Sequence, residues 1–213
     1  MIEVALAWLP RLAVAAALTI GLAVAISAIT GPLGAALALA LYGREAPRAR
    51  ALVEGFSAFF RAIPELVVLF FFYFGATQVG VDLGSVGSTV FAFALVGAAY
   101  DYQVFKGALA AIPVGQYEVG RALGMPAWVV YWNVILPQML PLAKKGWITY
   151  AIGTVKRISI ASAISVSEIL YVTKQGIAAT NAPFLFLGLA VALYVLIASP
   201  LLIWNESRGG APG

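Results

Sequence analysis

Five polar side chains stand in apolar stretches where a bilayer would make them costly. Asp101 and Gln103 share one such stretch, Lys156 and Arg157 share another, and Glu168 follows shortly after. A charge at bilayer depth must be paired or face water, so each of these residues marks either a polar path or a buried contact. A cation such as Lys156 suits a carboxylate partner, or it can snorkel or pair with Asp101. Asp101 and Glu168 are the two carboxylates that an embedded acid–base enzyme would need, but their expected depths differ, which argues against that chemistry. The chain has no His and no Cys. That excludes disulfides, imidazole and thiolate metal sites, and the usual Ser-His or Cys-His catalytic pairs.

The scaffold that positions these residues must live in lipid. Hydrophobic residues make up 62% of the 213 positions and charged residues 10%. The mean hydropathy is +0.97. That leaves too little polar surface to coat a water-soluble globule, and an all-α integral membrane protein follows. The formal net charge of +4 would suggest nucleic acid in a soluble protein. In a membrane protein it reads as basic loops, so no nucleic-acid partner is expected.

Charge-free runs give about five transmembrane helices in a single transmembrane domain over 1–213. Leu12 to Gly43 is long enough for a tilted helix plus a turn at "TGPLG", Thr30 to Gly34. The same run is too long for a signal peptide and lacks its basic start. Leu66 to Val81 follows, extended backwards by the amphipathic "RALVEGFSAFFRAIP". Ser88 to Phe105, Gly146 to Ile164 and Phe184 to Ile203 complete the set. Pro64, Pro137 and Pro141 mark expected kinks or span boundaries. The "FFFYF" run, Phe70 to Phe74, reads as packing or lipid-facing surface.

An odd number of spans puts the termini on opposite sides. Arg44, Arg48 and Arg50 crowd one loop, and Lys106, Arg121, Lys144 and Lys145 another, whereas the opposite loops offer only Lys174. The positive-inside bias then places the N-terminus outside and the C-terminus in the cytoplasm.

On that cytoplasmic side lies the stretch "EVGRALGMPAWVVYWNVILPQ", within a loop of about 110–140. "VGQYEVGRALG" reads as a short helix with Glu118 and Arg121 at i,i+3, stopped by Gly124, which can take a left-handed C′ position. Pro126 suits the first turn of a second short helix. Two short helices at an angle make a protruding elbow. An interfacial amphipathic helix is the other reading.

At these residues the chain resembles a family. Glu118-Val119-Gly120, Gly124 and Val134-Ile135-Leu136-Pro137 are similar to the "EAA" loop, E-A-A-x3-G-x9-I-x-L-P, of membrane permeases from ABC-type importers. "FFRAIPELVVLFFFYFG", "AAYDYQVFKGALAAIPVGQYE" and "VKRISIASAISVSEIL" resemble further blocks of the polar amino acid uptake branch. The likeness spans about Thr19 to Ser207.

The resemblance implies the type I importer permease (MetI-like) fold with a cytoplasmic coupling helix, in a bacterial inner membrane. Glu118, Gly120, Arg121, Ala122, Leu123 and Gly124 would form the coupling site for a cytoplasmic ATPase dimer. A second permease subunit, identical or a sister chain, and an extracytoplasmic substrate-binding protein are the other implied partners. The chain has no G-x-x-x-x-G-K-[ST] loop, so it is not itself the ATPase. ATP and Mg would belong to the partner, and this chain would bind no cofactor and no metal. Lys156 matches a family lysine placed near the amino acid's carboxylate, and Glu168 matches a family Glu with either a structural or a transport role.

Two departures affect the cargo. Arg157 stands where the family has a carboxylate, and Gln103 replaces another, with Asp101 two residues before it. Counting Lys156 and Arg157 against Asp101 leaves one positive charge. That favours a zwitterionic or acidic amino acid, or else marks this chain as the non-binding half of a pair. Asp101, Gln103, Lys156, Arg157 and Glu168 are thus the expected pathway residues, facing a polar cavity near the midplane. Another small polar solute remains the alternative cargo, and a passive channel would leave the elbow without a purpose.

Overall fold

The computed structural model describes residues 2–113 and 115–207, and every regular element among them is helical. The elements are α1 (Ile2–Leu41), α2 (Pro47–Ala62), α3 (Glu65–Phe70), α4 (Ala76–Gln78), α5 (Gly84–Ala110), α6 (Gly115–Ala122), α7 (Ala127–Val130), α8 (Leu136–Arg157), α9 (Ile169–Thr180) and α10 (Pro183–Ser207). A π turn at Phe71–Gly75 joins α3 to α4, a second at Tyr131–Ile135 joins α7 to α8, and a 3-10 turn covers Ile158–Ile164.

Packing gathers the chain into two units. One holds Met1–Ser27, Pro64–Phe93 and Ala151–Gly213, and the other holds Ala28–Ile63 and Ala94–Tyr150. In the first, Leu12 and Ala15 of α1 are buried against Val172 of α9, with Trp8, Leu189 and Leu193 alongside. Trp8 meets Phe186 edge-on at 5.3 Å. α9 stops at Asn181, which takes a left-handed conformation and donates its N–H to the Ile177 carbonyl at 2.8 Å. The Phe70–Phe74 run packs as edge-to-face rings, with Phe72 on Phe91 at 4.8 Å, and leaves Phe71 and Phe74 exposed.

In the second unit the later half of α1 packs on α5 and α8. A Cβ on Gly34 would lie 2.6 Å from the Tyr102 nitrogen of α5, and one on Gly31 would lie 2.5 Å from the Trp147 ring of α8. This contact explains why the expected turn at Thr30 to Gly34 is absent and α1 runs unbroken through Pro32. A proline inside a helix removes a hydrogen bond and costs about 3 kcal/mol in isolation. Two glycines that admit neighbouring helices at backbone distance recover that loss through close packing. The core continues through Leu41, Tyr102, Phe105, Leu109, Val130, Ile135 and Met139.

Three other boundaries differ from the sequence reading. The amphipathic stretch before Leu66 is a separate helix, α2, because Ile63 and Pro64 adopt extended ψ values of 137° and 131°. The second short helix of the elbow is not separate: α7 passes through the π turn directly into α8. Pro137 follows that turn at once, where its missing N–H leaves the Asn133 carbonyl without its usual partner. Pro141, expected at a kink or a span boundary, lies inside α8, which begins at Leu136 and not at the expected Gly146.

Among the described residues, two helices are long and apolar enough to cross a membrane by themselves, Glu3–Leu41 and Pro183–Ser207, and the count reaches three if α2 and the α3–α4 segment form one broken span. α5 and α8 fall short of that measure for a compositional reason. Glycines, serines and Asp101 dilute the first, and Lys144, Lys145, Lys156 and Arg157 punctuate the second.

Candidate functional site

The residues expected to couple lie on α6 and just beyond its end, and the helix has two unlike faces. Tyr117 and Gly120 are buried, whereas Glu118, Val119, Arg121, Ala122 and Leu123 are exposed. The inward face explains Gly120, which stands where the motif has alanine: a Cβ there would lie 2.7 Å from Val130 Cγ2. Glycine weakens a helix by about 1 kcal/mol relative to alanine, and here close contact with α7 requires it.

α6 ends in a Schellman turn. Gly124 has φ of +75°. Its N–H donates to the Arg121 carbonyl at 2.9 Å, and the Met125 N–H donates to the Gly120 carbonyl at 3.0 Å. These are the two bonds that a left-handed C′ residue makes possible. Pro126 caps α7, its carbonyl accepting from Val129 and Val130. The sequence reading began the helix at Val114, which lies outside the described residues. Beside α6 is a cleft of about 280 Å³ lined by Tyr42, Gly43, Tyr117, Glu118 and Arg121. Tyr131 faces Tyr117 there, and burial, then Tyr117, pushes its hydroxyl above the usual phenol range.

Gln103 is held by α2 in a network that sequence reasoning missed. Its Nε2 donates to Ser57 Oγ at 2.9 Å and to Glu54 Oε2 at 3.3 Å. Glu54 also accepts from the Tyr102 hydroxyl at 2.8 Å and pairs with Lys106. Ser57 Oγ donates to the Ala99 carbonyl at 3.0 Å, and Arg61 Nε donates to Ser57. Glu54, Ser57 and Arg61 lie on one face of α2 at helical spacing, a signal that was available in the sequence. Asp101 is fully buried in α5, where Gly34 meets the helix backbone.

In the other unit, α8 ends on Lys156 and Arg157. Lys156 is exposed, and the Ser159 hydroxyl donates to its carbonyl at 2.7 Å. Arg157 bonds Thr154 Oγ1 at 2.5 Å and approaches the Glu65 carboxylate at 3.5 Å. The helix then tightens into the 3-10 turn and stops at Ser165, which has φ of +64°. A left-handed serine is an uncommon conformation, and it ends the helical path after the 3-10 turn that follows the two cations. The serine-rich "ISIASAIS" was the available sign of this break.

Glu65 lies in the same unit as Arg157 and is its ion partner, a carboxylate that the sequence count of Lys156 and Arg157 against Asp101 did not include. Glu168 is fully buried and caps α9. Its carboxylate accepts from Tyr171 N at 2.7 Å, Leu170 N at 2.9 Å and the Tyr194 hydroxyl at 2.9 Å. Lys174 donates to the Ser162 hydroxyl at 3.0 Å, joining α9 to the 3-10 turn. Asp101 and Gln103 therefore belong to one unit, and Lys156, Arg157 and Glu168 to the other.

Residues 32–205 match the family model described as "Binding-protein-dependent transport system inner membrane component". The chain is 33% identical over 184 residues to an octopine transport system permease of Rhizobium radiobacter, covering 81% of this chain and 76% of the relative. It is 32% identical over 213 residues to an arginine ABC transporter permease of Escherichia coli K12, covering 87% and 88%. Among solved structures, an amino acid ABC transporter crystallised with histidines superposes with a TM-score of 0.85 at 21% identity, covering 95% of this chain and 94% of that one. The MetNI methionine transporter in an inward-facing form superposes with a TM-score of 0.74 at 20% identity, covering 95% and 97%.

Proposed function

The chain belongs to the family of binding-protein-dependent transport system inner membrane components, and we propose that it carries a polar amino acid inward, coupled to a separate ATPase through α6. It has the MetI-like permease fold, as the two superpositions indicate. The observation that carries the reading is the geometry of α6, taken together with the names of the relatives. A helix closed by a Schellman turn presents Glu118, Arg121 and Leu123 outward in a chain whose relatives are named as amino acid permeases.

In this reading the exposed face of α6 docks in a groove of a cytoplasmic ATPase, whose two copies bind ATP and Mg. The N-terminus lies outside and the C-terminus in the cytoplasm. A binding protein delivers the amino acid, and a second permease subunit completes the path. Lys156, exposed in the last turn of α8, supplies the cation for the substrate carboxylate. Gln103 and Asp101 support α5 where it meets α2 and α1. Glu168 fixes the start of α9, because its carboxylate is engaged by two backbone N–H groups and a hydroxyl.

Co-expression with candidate ATPase subunits tests the dock. The wild-type chain should retain an ATPase through detergent purification, and Glu118→Lys should release it or uncouple it. Full retention and normal uptake by that variant would contradict the assignment of α6.

A further inference from the structure

Three tyrosines join α6 to the end of α1. Tyr42 directly follows α1, and Gly43 turns the chain with φ of +63°. Tyr117 projects from the buried face of α6 and meets Tyr42 edge-on at 6.0 Å between centroids, with the planes 73° apart. On its other side Tyr117 stacks with Tyr131 at 5.5 Å and 29°. Tyr131 closes the triangle, its hydroxyl donating to the Tyr42 carbonyl at 2.7 Å. Both ring geometries are among those that aromatic pairs prefer.

The neighbours leave this cluster little freedom. A Cβ on Gly43 would lie 2.6 Å from Tyr117 Cε1, so the turn after α1 is pressed against the ring. Tyr117 is only 9% exposed. Tyr131 opens the π turn that leads into α8, so the same ring stack touches the root of the long helix. α6 is therefore held in two ways: by the Schellman turn through α7 to α8, and by Tyr117 to the end of α1. Close-packed rings do not compress, so a displacement of α6 must be passed to whatever they touch.

We propose that Tyr42, Tyr117 and Tyr131 form a strut that makes the end of α1 move with the coupling helix, so that ATPase closure drives α1 and α8 together. The proposal rests on the reading of α6 as the ATPase dock. The tyrosines are positioning residues: they act through α6 and touch neither ATP nor cargo. Without the strut, α6 would still dock and pull α8, while α1 lagged and hydrolysis ran without full transport.

The test uses the complete complex with its ATPase and second permease subunit in proteoliposomes, with binding protein present. Tyr131→Phe keeps the ring stack and removes only the bond to the Tyr42 carbonyl. Tyr131→Leu removes both. The decisive readout is substrate imported per ATP hydrolysed, with ATPase co-purification and thermal melting measured on the same samples. ATPase content should match wild type, and import per ATP should fall about two- to tenfold in Tyr131→Phe, the range for one net hydrogen bond. Tyr131→Leu should fall further. An unchanged ratio in both variants overturns the strut, and so does a fall in melting temperature that lowers hydrolysis and import in proportion. Loss of the ATPase from either variant also overturns it, because the tyrosines would then belong to the dock itself. Failure of the docking reading shows separately, as full ATPase retention and normal import by Glu118→Lys.

Discussion

Replacing Gly124 with valine should uncouple transport, on the proposed docking of α6, without disturbing the spans. Nothing lies within 4 Å of a Cβ built on Gly124, so the substitution meets no steric neighbour and its whole effect is in the backbone. Gly124 sits at φ of +75°. An L-residue held in the left-handed region costs about 1–2 kcal/mol, with a β-branched side chain at the upper end or beyond. Two bonds depend on that conformation, Gly124 N to the Arg121 carbonyl and Met125 N to the Gly120 carbonyl. At about 1.4 kcal/mol per factor of ten, the closed turn becomes about 5- to 30-fold less populated. Gly124→Asn is the matched control, since asparagine tolerates the left-handed region. Both variants should insert at wild-type abundance. In proteoliposomes with the ATPase and binding protein, the valine variant should lose most substrate-stimulated uptake, and the asparagine variant should keep most of it. Equal, wild-type uptake by both would refute the idea that this turn sets the docking geometry.

Three further outcomes are open to measurement. In the Cys-free background, a cysteine at Gly84 should react with an impermeant thiol reagent from outside and one at Gly115 only from inside; the reverse pattern would overturn the proposed orientation. Lys156→Met should abolish substrate-stimulated uptake while leaving assembly and basal ATP hydrolysis intact, and normal transport by that variant would remove Lys156 from the cargo site. Glu168→Ala should lower stability by about 1–2 kcal/mol as the cap of α9 is lost, seen as a fall in melting temperature larger than that of Glu168→Gln, whose single amide oxygen can still accept from one of the two N–H groups. Equal melting of both variants with the wild type would contradict the capping role.

The parts legible in the sequence were those with local causes. Gly124 announced the end of α6 because glycine is the usual residue for a left-handed C′. The runs within α1 and α10 announced themselves by the absence of charge. Long-range packing was harder to read. "TGPLG" carries local turn residues, but Gly31 and Gly34 serve as contact points for α8 and α5, and α1 stays straight enough to pass Pro32. Glu54 with Lys106, and Arg157 with Glu65, are paired across long stretches of chain, which leaves no periodic trace. Glu168 was hidden for a different reason. The sequence left Glu168 between a structural and a transport role, and glutamate is not among the residues favoured as a helix cap, so its capping of α9 gave no local sign.

ATP-dependent accumulation of amino acids is the most direct test of the central claim. The purified complex of this chain, its permease partner and its ATPase would be sealed into liposomes holding ATP and Mg. Binding protein and one labelled amino acid at a time would be supplied outside, with a sugar and an inorganic anion as controls. The account predicts that at least one polar amino acid accumulates against its gradient, only with ATP and binding protein present, and that neither control does. Accumulation of a control solute instead, or amino acid flux that persists without ATP, would contradict it.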